Sequence, residues 1–470
     1  MTLVADTCKA IFSHAPMKRR NLCSQFHASA FLYGWWHPVN WPLALTIGKE
    51  AIKSAGTFWV AITLMIVAGS HASAEPPLKA EVMHWWTSPG ESAAVHQFAE
   101  AFNKAGGQWV DVPIVGGTNA IPAEISRVSG GDPPTAMQLP LGKQLDELVA
   151  QHLLSNIDEL STAENFKAIL PDVFLKAATY DGHVYALPVN DHGHNWLWYN
   201  KSVLEKAGAK EPLSWEDFWA AVDKIKAMGG VIPIAVGAQP WQLGQTFFSV
   251  LLSKEGPNLY YEAFRDLDVN AIKSPQFKDA TATFIKLRDY SDEGAANRDW
   301  NIAANMVIAG KAGFQFMGDW AKGEYLAAGQ TPGKEFNGVL LGENGRTDFT
   351  ISADCFVFPV NKDPEQTKAQ KLLAKVMIDP PTQIAFNSRK GSEPARLDVD
   401  PSKLDVIAQY GMKALQKPDQ RVPCTDFLDT PDFIAAERDL AAQFWADKSM
   451  TVDQFVDAFV KIVETEKSRR

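Results

Sequence analysis

The sequence predicts an α/β protein of two domains, and three observations lead there. Short apolar runs alternate with amphipathic stretches of helical spacing, and this alternation recurs in two separate parts of the chain. The residues from Glu75 to Arg470, which follow a secretion signal, also exceed what one hydrophobic core usually holds.

The first unit opens with the apolar run Val82 to Trp86. Next comes Glu91 to Lys104, where Val95, Phe98 and Phe102 recur at helical spacing, and then Val110 to Val115. Strand, helix and strand in this order make a βαβ unit, which implies parallel strands. Ser88 stands three residues before Glu91, with Pro89 at the first helical position, the pattern of a capping box. The pattern returns with Asn195 to Tyr199, then Ser214 to Met228 with Ser214 and Asp217 placed as cap residues, then Val231 to Val236. Turns containing Pro and Gly are spread through the chain, without an internal repeat or a low-complexity linker. Two domains without a linker are expected to be joined by several chain crossings.

Ahead of these units, Lys49 and Lys53 precede the apolar run Phe58 to Ala68 and then Ala72-Ser73-Ala74, the order of a signal peptide with its cleavage site. The mature chain is expected to begin at Glu75. The run is shorter than the roughly 18 apolar residues that read as a membrane span. Residues 1–48 read as an upstream extension. Arg19-Arg20 lies too far from the apolar run for a twin-arginine signal, and Trp35-Trp36 has no cap or strand around it.

The full chain carries 45 Lys and Arg against 55 Asp and Glu; without its first 74 residues, which hold six and two, the balance is 39 against 53, a net charge of −14. Such a chain is poorly suited to nucleic acid or an anionic membrane surface. Of its cysteines only Cys355 and Cys424 fall in the mature part, enough for one disulfide at most, and Cys355 in an apolar run reads equally well as a small buried hydrophobe.

Four ordered segments carry a resemblance. They are Val82-Met83-His84-Trp85-Trp86-Thr87-Ser88; Leu187-Pro188-Val189-Asn190 leading into Asn195-Trp196-Leu197-Trp198-Tyr199-Asn200-Lys201; Met317-Gly318-Asp319-Trp320; and Lys390-Gly391-Ser392 with Pro394. Together they resemble the periplasmic sugar-binding proteins of ABC transporters, and within that family the glucose-binding branch. The resemblance implies a two-lobed α/β fold of the type II class, with a ligand cleft between lobes and a three-crossing hinge. Residues 75–187 with 345–395 would form the N-terminal lobe, and 188–344 with 396–470 the C-terminal lobe. It further implies a monomer that captures a small carbohydrate and delivers it to an inner-membrane permease.

The residue chemistry agrees with that expectation. A pyranose offers an apolar face of C–H groups and a rim of hydroxyls, so it calls for aromatic planes and charged hydrogen-bonding groups. Trp85 and Trp86 would point to opposite sides of an extended strand, one toward a cleft and one toward packing, unless an irregular turn at Thr87 frees both. Glu91 reads both as a cap residue and as a hydroxyl acceptor. Trp241 is expected in a loop after the strand Val231 to Val236, where open α/β sheets place ligands, and Asp319-Trp320 at the end of the apolar segment Phe314 to Met317. Lys143 and Lys390 are ordinary surface charges on residue type alone, and the family pattern puts them at the cleft. His192 follows the first expected crossing, where it would exchange hydrogen bonds with a hydroxyl or pack in the hinge.

One segment departs from the pattern. Where the glucose-binding branch has a histidine–glycine turn, this chain has Arg421-Val422-Pro423-Cys424-Thr425-Asp426, and a changed set of polar partners alters which hydroxyl pattern a buried site accepts. The competing reading is a secreted glycoside hydrolase with Glu91 and Asp319 flanking the scissile bond. The mature chain has no G-x-S-x-G elbow, Walker loop or H-E-x-x-H zinc motif. No catalytic residue, metal or cofactor is expected, and a chemoreceptor-coupled sensor would use the same cleft.

Overall fold

The computed structural model describes residues 76–343 and 346–469. The expectations for the signal peptide, the cleavage before Glu75, Arg19-Arg20 and Trp35-Trp36 lie outside these residues. In chain order, the strands that position the site are β1 (Leu78–His84), β2 (Gly107–Pro113), β3 (Ala136–Pro140), β4 (Ala186–Pro188), β5 (His192–Gly193) and β6 (Trp196–Asn200). They continue with β7 (Ile232–Ile234), β8 (Ala312–Met317), β9 (Phe336–Leu340), β10 (Phe349–Ser352), β11 (Asp354–Val357) and β12 (Arg421–Pro423).

The first sheet has the order β2-β1-β3-β11-β4. As expected of the first βαβ unit, β1 runs parallel to β2, and it is also parallel to β3, while β11 is antiparallel to both of its neighbours. The crossover is α1 (Pro89–Lys104). Ser88 and Glu91 form the capping box there, and Val95, Phe98 and Phe102 turn inward. Phe98 stacks on Phe386 at 4.1 Å, which fastens α1 to the helix Pro380–Lys390. Burying a phenylalanine in this way contributes about 1.5–3 kcal/mol.

The second sheet has the order β9-β6-β8-β7, and here one expectation is corrected. Ser214 does cap the helix Trp215–Met228, but the flanking strands β6 and β7 are not neighbours. Between them lies β8, antiparallel to β6 and parallel to β7, so the second unit is not a parallel βαβ. Local periodicity gives each element its type; the partner of a strand depends on a segment some eighty residues further along the chain.

A third, short sheet of order β12-β10-β5 joins the two parts. The chain runs from β4 in the first sheet through β5 to β6 in the second, and returns from β9 through β10 to β11. Cys355 lies in β11 with its thiol against the Leu139 carbonyl, Cys424 lies just past β12, and both are free and buried. Among the described residues no helix is long and apolar enough to cross a membrane.

Candidate functional site

The site gathers where β1, β5, β8 and β11 end or begin. β1 stops at His84, so Trp85 and Trp86 lie beyond the ladder rather than within it. Trp86 is buried against Phe356 and Phe386, whereas Trp85 is partly exposed and lies beside Gly117. One indole is thus buried and the other partly exposed, both past the end of the strand ladder.

Glu91 serves two purposes at once. Its Oε2 accepts from the Ser88 amide in the capping box, and its Oε1 lies 3.1 Å from the Lys390 ammonium. Lys390 is only 2% exposed, and its ammonium stands 5.8 Å from the Trp86 ring and 5.9 Å from the Trp320 ring. A buried lysine between two indoles and one carboxylate is held by charge and by the ring quadrupoles.

Asp319 and Trp320 follow β8 as expected. Asp319 Oδ1 is 2.5 Å from His192 Nδ1, and its Oδ2 accepts the Gly193 amide at 2.8 Å. The other ring nitrogen of His192 lies 3.0 Å from Asp354 Oδ2. Burial alone would lower the His192 pKa, but Asp319 and Asp354 outweigh it and raise it to about 9. The same imidazolium brings Asp354 below its ordinary value against the effect of its own burial. Both ring nitrogens of His192 thus lie against carboxylates, in the hinge position that was one of its two expected roles. Its ring meets Trp320 edge-on at 5.0 Å.

Trp241 lies 6.2 Å from Trp320, centroid to centroid, and completes the aromatic wall. It is not in a loop: Pro240 starts the helix Pro240–Glu255 and Trp241 sits in its first turn, with its indole N–H donating to Gln239. The apolar residues that follow carry the helix back to the loop's end, a boundary that the sequence pattern leaves open. The Lys143 ammonium donates to the Leu428 carbonyl at 2.8 Å. The structure thus brings Trp86, Glu91, His192, Trp241, Asp319, Trp320 and Lys390 together.

Several residues of this cluster escaped the sequence reading. Asp354 heads a strand that is otherwise apolar, and a charge at that edge was the available sign. His194 stacks on Phe248 at 5.9 Å and meets Trp320 edge-on at 5.2 Å, and burial lowers its pKa to about 4, so it is neutral. Glu324, in the helix Ala321–Ala327, accepts the Gly90 amide at the start of α1 at 2.8 Å. Burial raises its pKa, against the pull of the Gly90 amide and the Ser88 hydroxyl. Nothing local marks a glutamate for a contact so far along the chain.

Aromatic planes, carboxylates, one lysine, the buried His192 and the partly buried His194 form a site suited to holding a polar solute. Comparison with known proteins decides its class. The family model described as bacterial extracellular solute-binding protein matches residues 97–413. The chain belongs to that family. A probable sugar-binding periplasmic protein of Brucella suis biovar 1 (strain 1330) is 41% identical over 370 residues, 78% of this chain and 86% of the relative. Another, of Rhizobium meliloti (strain 1021), is 42% identical over 356 residues, covering 75% and 84%. The crystal structure of the bacterial solute receptor AcbH, a protein described as having an exclusive preference for β-D-galactopyranose, superposes with a TM-score of 0.68 at 20% identity, covering 83% of this chain and 98% of that one. That likeness shows the two-lobed solute-receptor fold. This solute-binding protein is a receptor and not an enzyme, so Glu91 and Asp319 are not the acid and nucleophile of a hydrolase.

Proposed function

We propose that this solute-binding protein captures a small carbohydrate of the glucose-like class in the periplasm and delivers it to an inner-membrane ABC permease. The observation that carries the reading is the Lys390 ammonium, buried between the Trp86 and Trp320 rings and beside Glu91. Indole faces suit the C–H face of a pyranose, and charged groups suit its hydroxyl rim. Relatives named as probable sugar-binding periplasmic proteins support the same reading.

In this proposal Trp85, Trp86, Glu91, Lys143 and Lys390 act from the N-terminal lobe, residues 75–187 with 345–395. His192, Trp241, Asp319 and Trp320 act from the hinge and from the C-terminal lobe, residues 188–344 with 396–470. The third crossing would run from Leu397, whose amide donates to Ile169, toward Asp405, which pairs with Lys322. A ligand that touches both lobes favours the closed arrangement by its differential affinity, and the monomer then presents the closed form to the permease.

A thermal-shift panel of monosaccharides and short oligosaccharides on the mature protein tests the reading. A ligand at a hundred times its Kd adds about 2.7 kcal/mol of stability, a clear rise in unfolding temperature. If no sugar in the panel shifts the midpoint, the carbohydrate assignment falls. If pentoses or oligosaccharides alone do so, the glucose-like assignment falls. N-terminal sequencing of the exported protein tests the expected start at Glu75.

A further inference from the structure

The tryptophan pair is held by side chains where the sheet ends. His84 closes the last rung of β1, its carbonyl accepting the Ile114 amide at 2.9 Å. Beyond it the amides of Trp85 and Trp86 have no ladder partner, and a buried amide left unpaired is costly. Two side chains meet them: Gln138 Oε1, from β3, accepts the Trp85 amide at 3.1 Å, and His84 Nδ1 accepts the Trp86 amide at 3.2 Å.

The imidazole has one state that suits this arrangement. A ring nitrogen that accepts a hydrogen bond carries no proton, so the proton of a neutral His84 lies on Nε2. Nε2 is 2.9 Å from Asp111 Oδ1, which also accepts the Trp109 indole N–H at 2.9 Å. The hydrogen bond from His84 holds the Asp111 carboxyl below its ordinary range, against partial burial. The His84 ring is buried and lies 6.0 Å from the Trp86 ring. Asp111 therefore fixes the tautomer, the tautomer fixes the Trp86 amide, and the amide fixes the direction in which the indole leaves the backbone toward Lys390.

We propose that His84 is a positioning residue for ligand binding: through the Asp111–His84–Trp86 relay it sets the orientation of the indole without itself touching the solute. The inference rests on the reading that the tryptophan pair contacts a sugar. It assigns a function to a histidine that would otherwise count as core.

Two isosteres separate positioning from packing in the mature full-length protein. In His84→Asn the amide oxygen takes the place of Nδ1 and keeps the Trp86 contact, whereas in His84→Gln the amide reaches the place of Nε2 and abandons it. Calorimetry uses D-glucose and D-galactose, taking whichever binds the wild type more tightly, and Trp86→Ala runs in parallel. The expected result is a Kd for His84→Asn within threefold of wild type and one for His84→Gln at least tenfold weaker, with similar unfolding midpoints for both without sugar. Gln138→Met, which removes the acceptor for Trp85, gives a second measurement if either isostere fails to fold, and it should weaken binding at least threefold.

Equal affinities for the two isosteres, or wild-type binding by His84→Gln, would overturn the positioning role. So would wild-type binding by Gln138→Met, should that variant have to stand in for the isosteres. Trp86→Ala tells the two failures apart. If it loses affinity while His84→Gln does not, only the relay is wrong; if it binds as wild type does, or neither sugar binds the wild type, the reading of the tryptophan pair fails and the relay with it.

Discussion

His192 and Asp319 are joined at 2.5 Å between Nδ1 and Oδ1, and this contact fastens hinge strand β5 to the end of β8. With Asp354 on the opposite nitrogen, the imidazole is held as a cation whose pKa rises from 6.5 to about 9. A histidine with a raised folded-state pKa contributes stability that is fully present below the unfolded value and is lost as pH climbs through the folded one. The window is therefore pH 6.5 to 9. The shift corresponds to at most about 3 kcal/mol. Unfolding of wild type and His192→Gln, measured from pH 6 to 10, should show a difference that is largest at the acid end and shrinks toward pH 9.

Asp319 spends both oxygens on the protein, one on His192 and one on the Gly193 amide. Asp319→Asn should therefore weaken sugar binding more than tenfold and also lower the unfolding midpoint. Trp241→Ala, at a partly buried helix start, should cost about 1.5–3 kcal/mol of binding and leave the sugar-free midpoint almost unchanged. Calorimetry paired with sugar-free unfolding separates the two cases, and wild-type binding by either variant removes that residue from the site.

The Glu91–Lys390 pair is nearly inaccessible to water, with side chains 10% and 2% exposed. Removing one partner strands the other, at a cost of about 3–5 kcal/mol. Lys390→Met alone should be strongly destabilising. Adding Glu91→Gln should recover most of the stability but none of the affinity. A double-mutant cycle in urea, with m-values compared, checks this; a double variant no more stable than Lys390→Met would show that the pair is not the source of the loss.

Gly323 lies between two segments of backbone. A Cβ there would stand 2.7 Å from the Lys390 carbonyl oxygen, and one on Gly90 would stand 2.6 Å from the Gly323 carbonyl carbon. Gly323→Ala should hold the helix Ala321–Ala327 away from α1 and from the helix Pro380–Lys390, an overpacking cost of about 1–3 kcal/mol. That cost falls on the arrangement in which these helices touch. Sugar affinity should drop, and small-angle scattering should show the wild type becoming more compact with sugar while Gly323→Ala does not. A variant that compacts normally would mean that this contact does not govern closure.

How much of this was legible follows from the range of each interaction. The capping box at Ser88 and Glu91, the inward face of α1 and the strand-end position of Asp319-Trp320 are local, and local pattern reveals them. The partner of β6, the Glu324–Gly90 contact and the Lys143–Leu428 hydrogen bond depend on residues far away in sequence. His192 was legible as a hinge residue, but its charge required knowing that Asp319 and Asp354 converge on it from two sheets. Trp241 was placed near its true position and assigned the wrong element, because Pro240 reads equally well as a turn residue and as the first residue of a helix.

The aromatic wall has an optical consequence. Trp86 and Trp320 face the same buried ammonium, and Trp241 is 6.2 Å from Trp320, so part of the chain's indole emission originates within the site itself. A bound solute that displaces water or shifts Lys390 changes the field on those rings, and occupancy becomes readable as a change in emission intensity or colour without any attached dye. The same residues that would hold the solute thus report on it against the steadier emission of the tryptophans elsewhere in the chain.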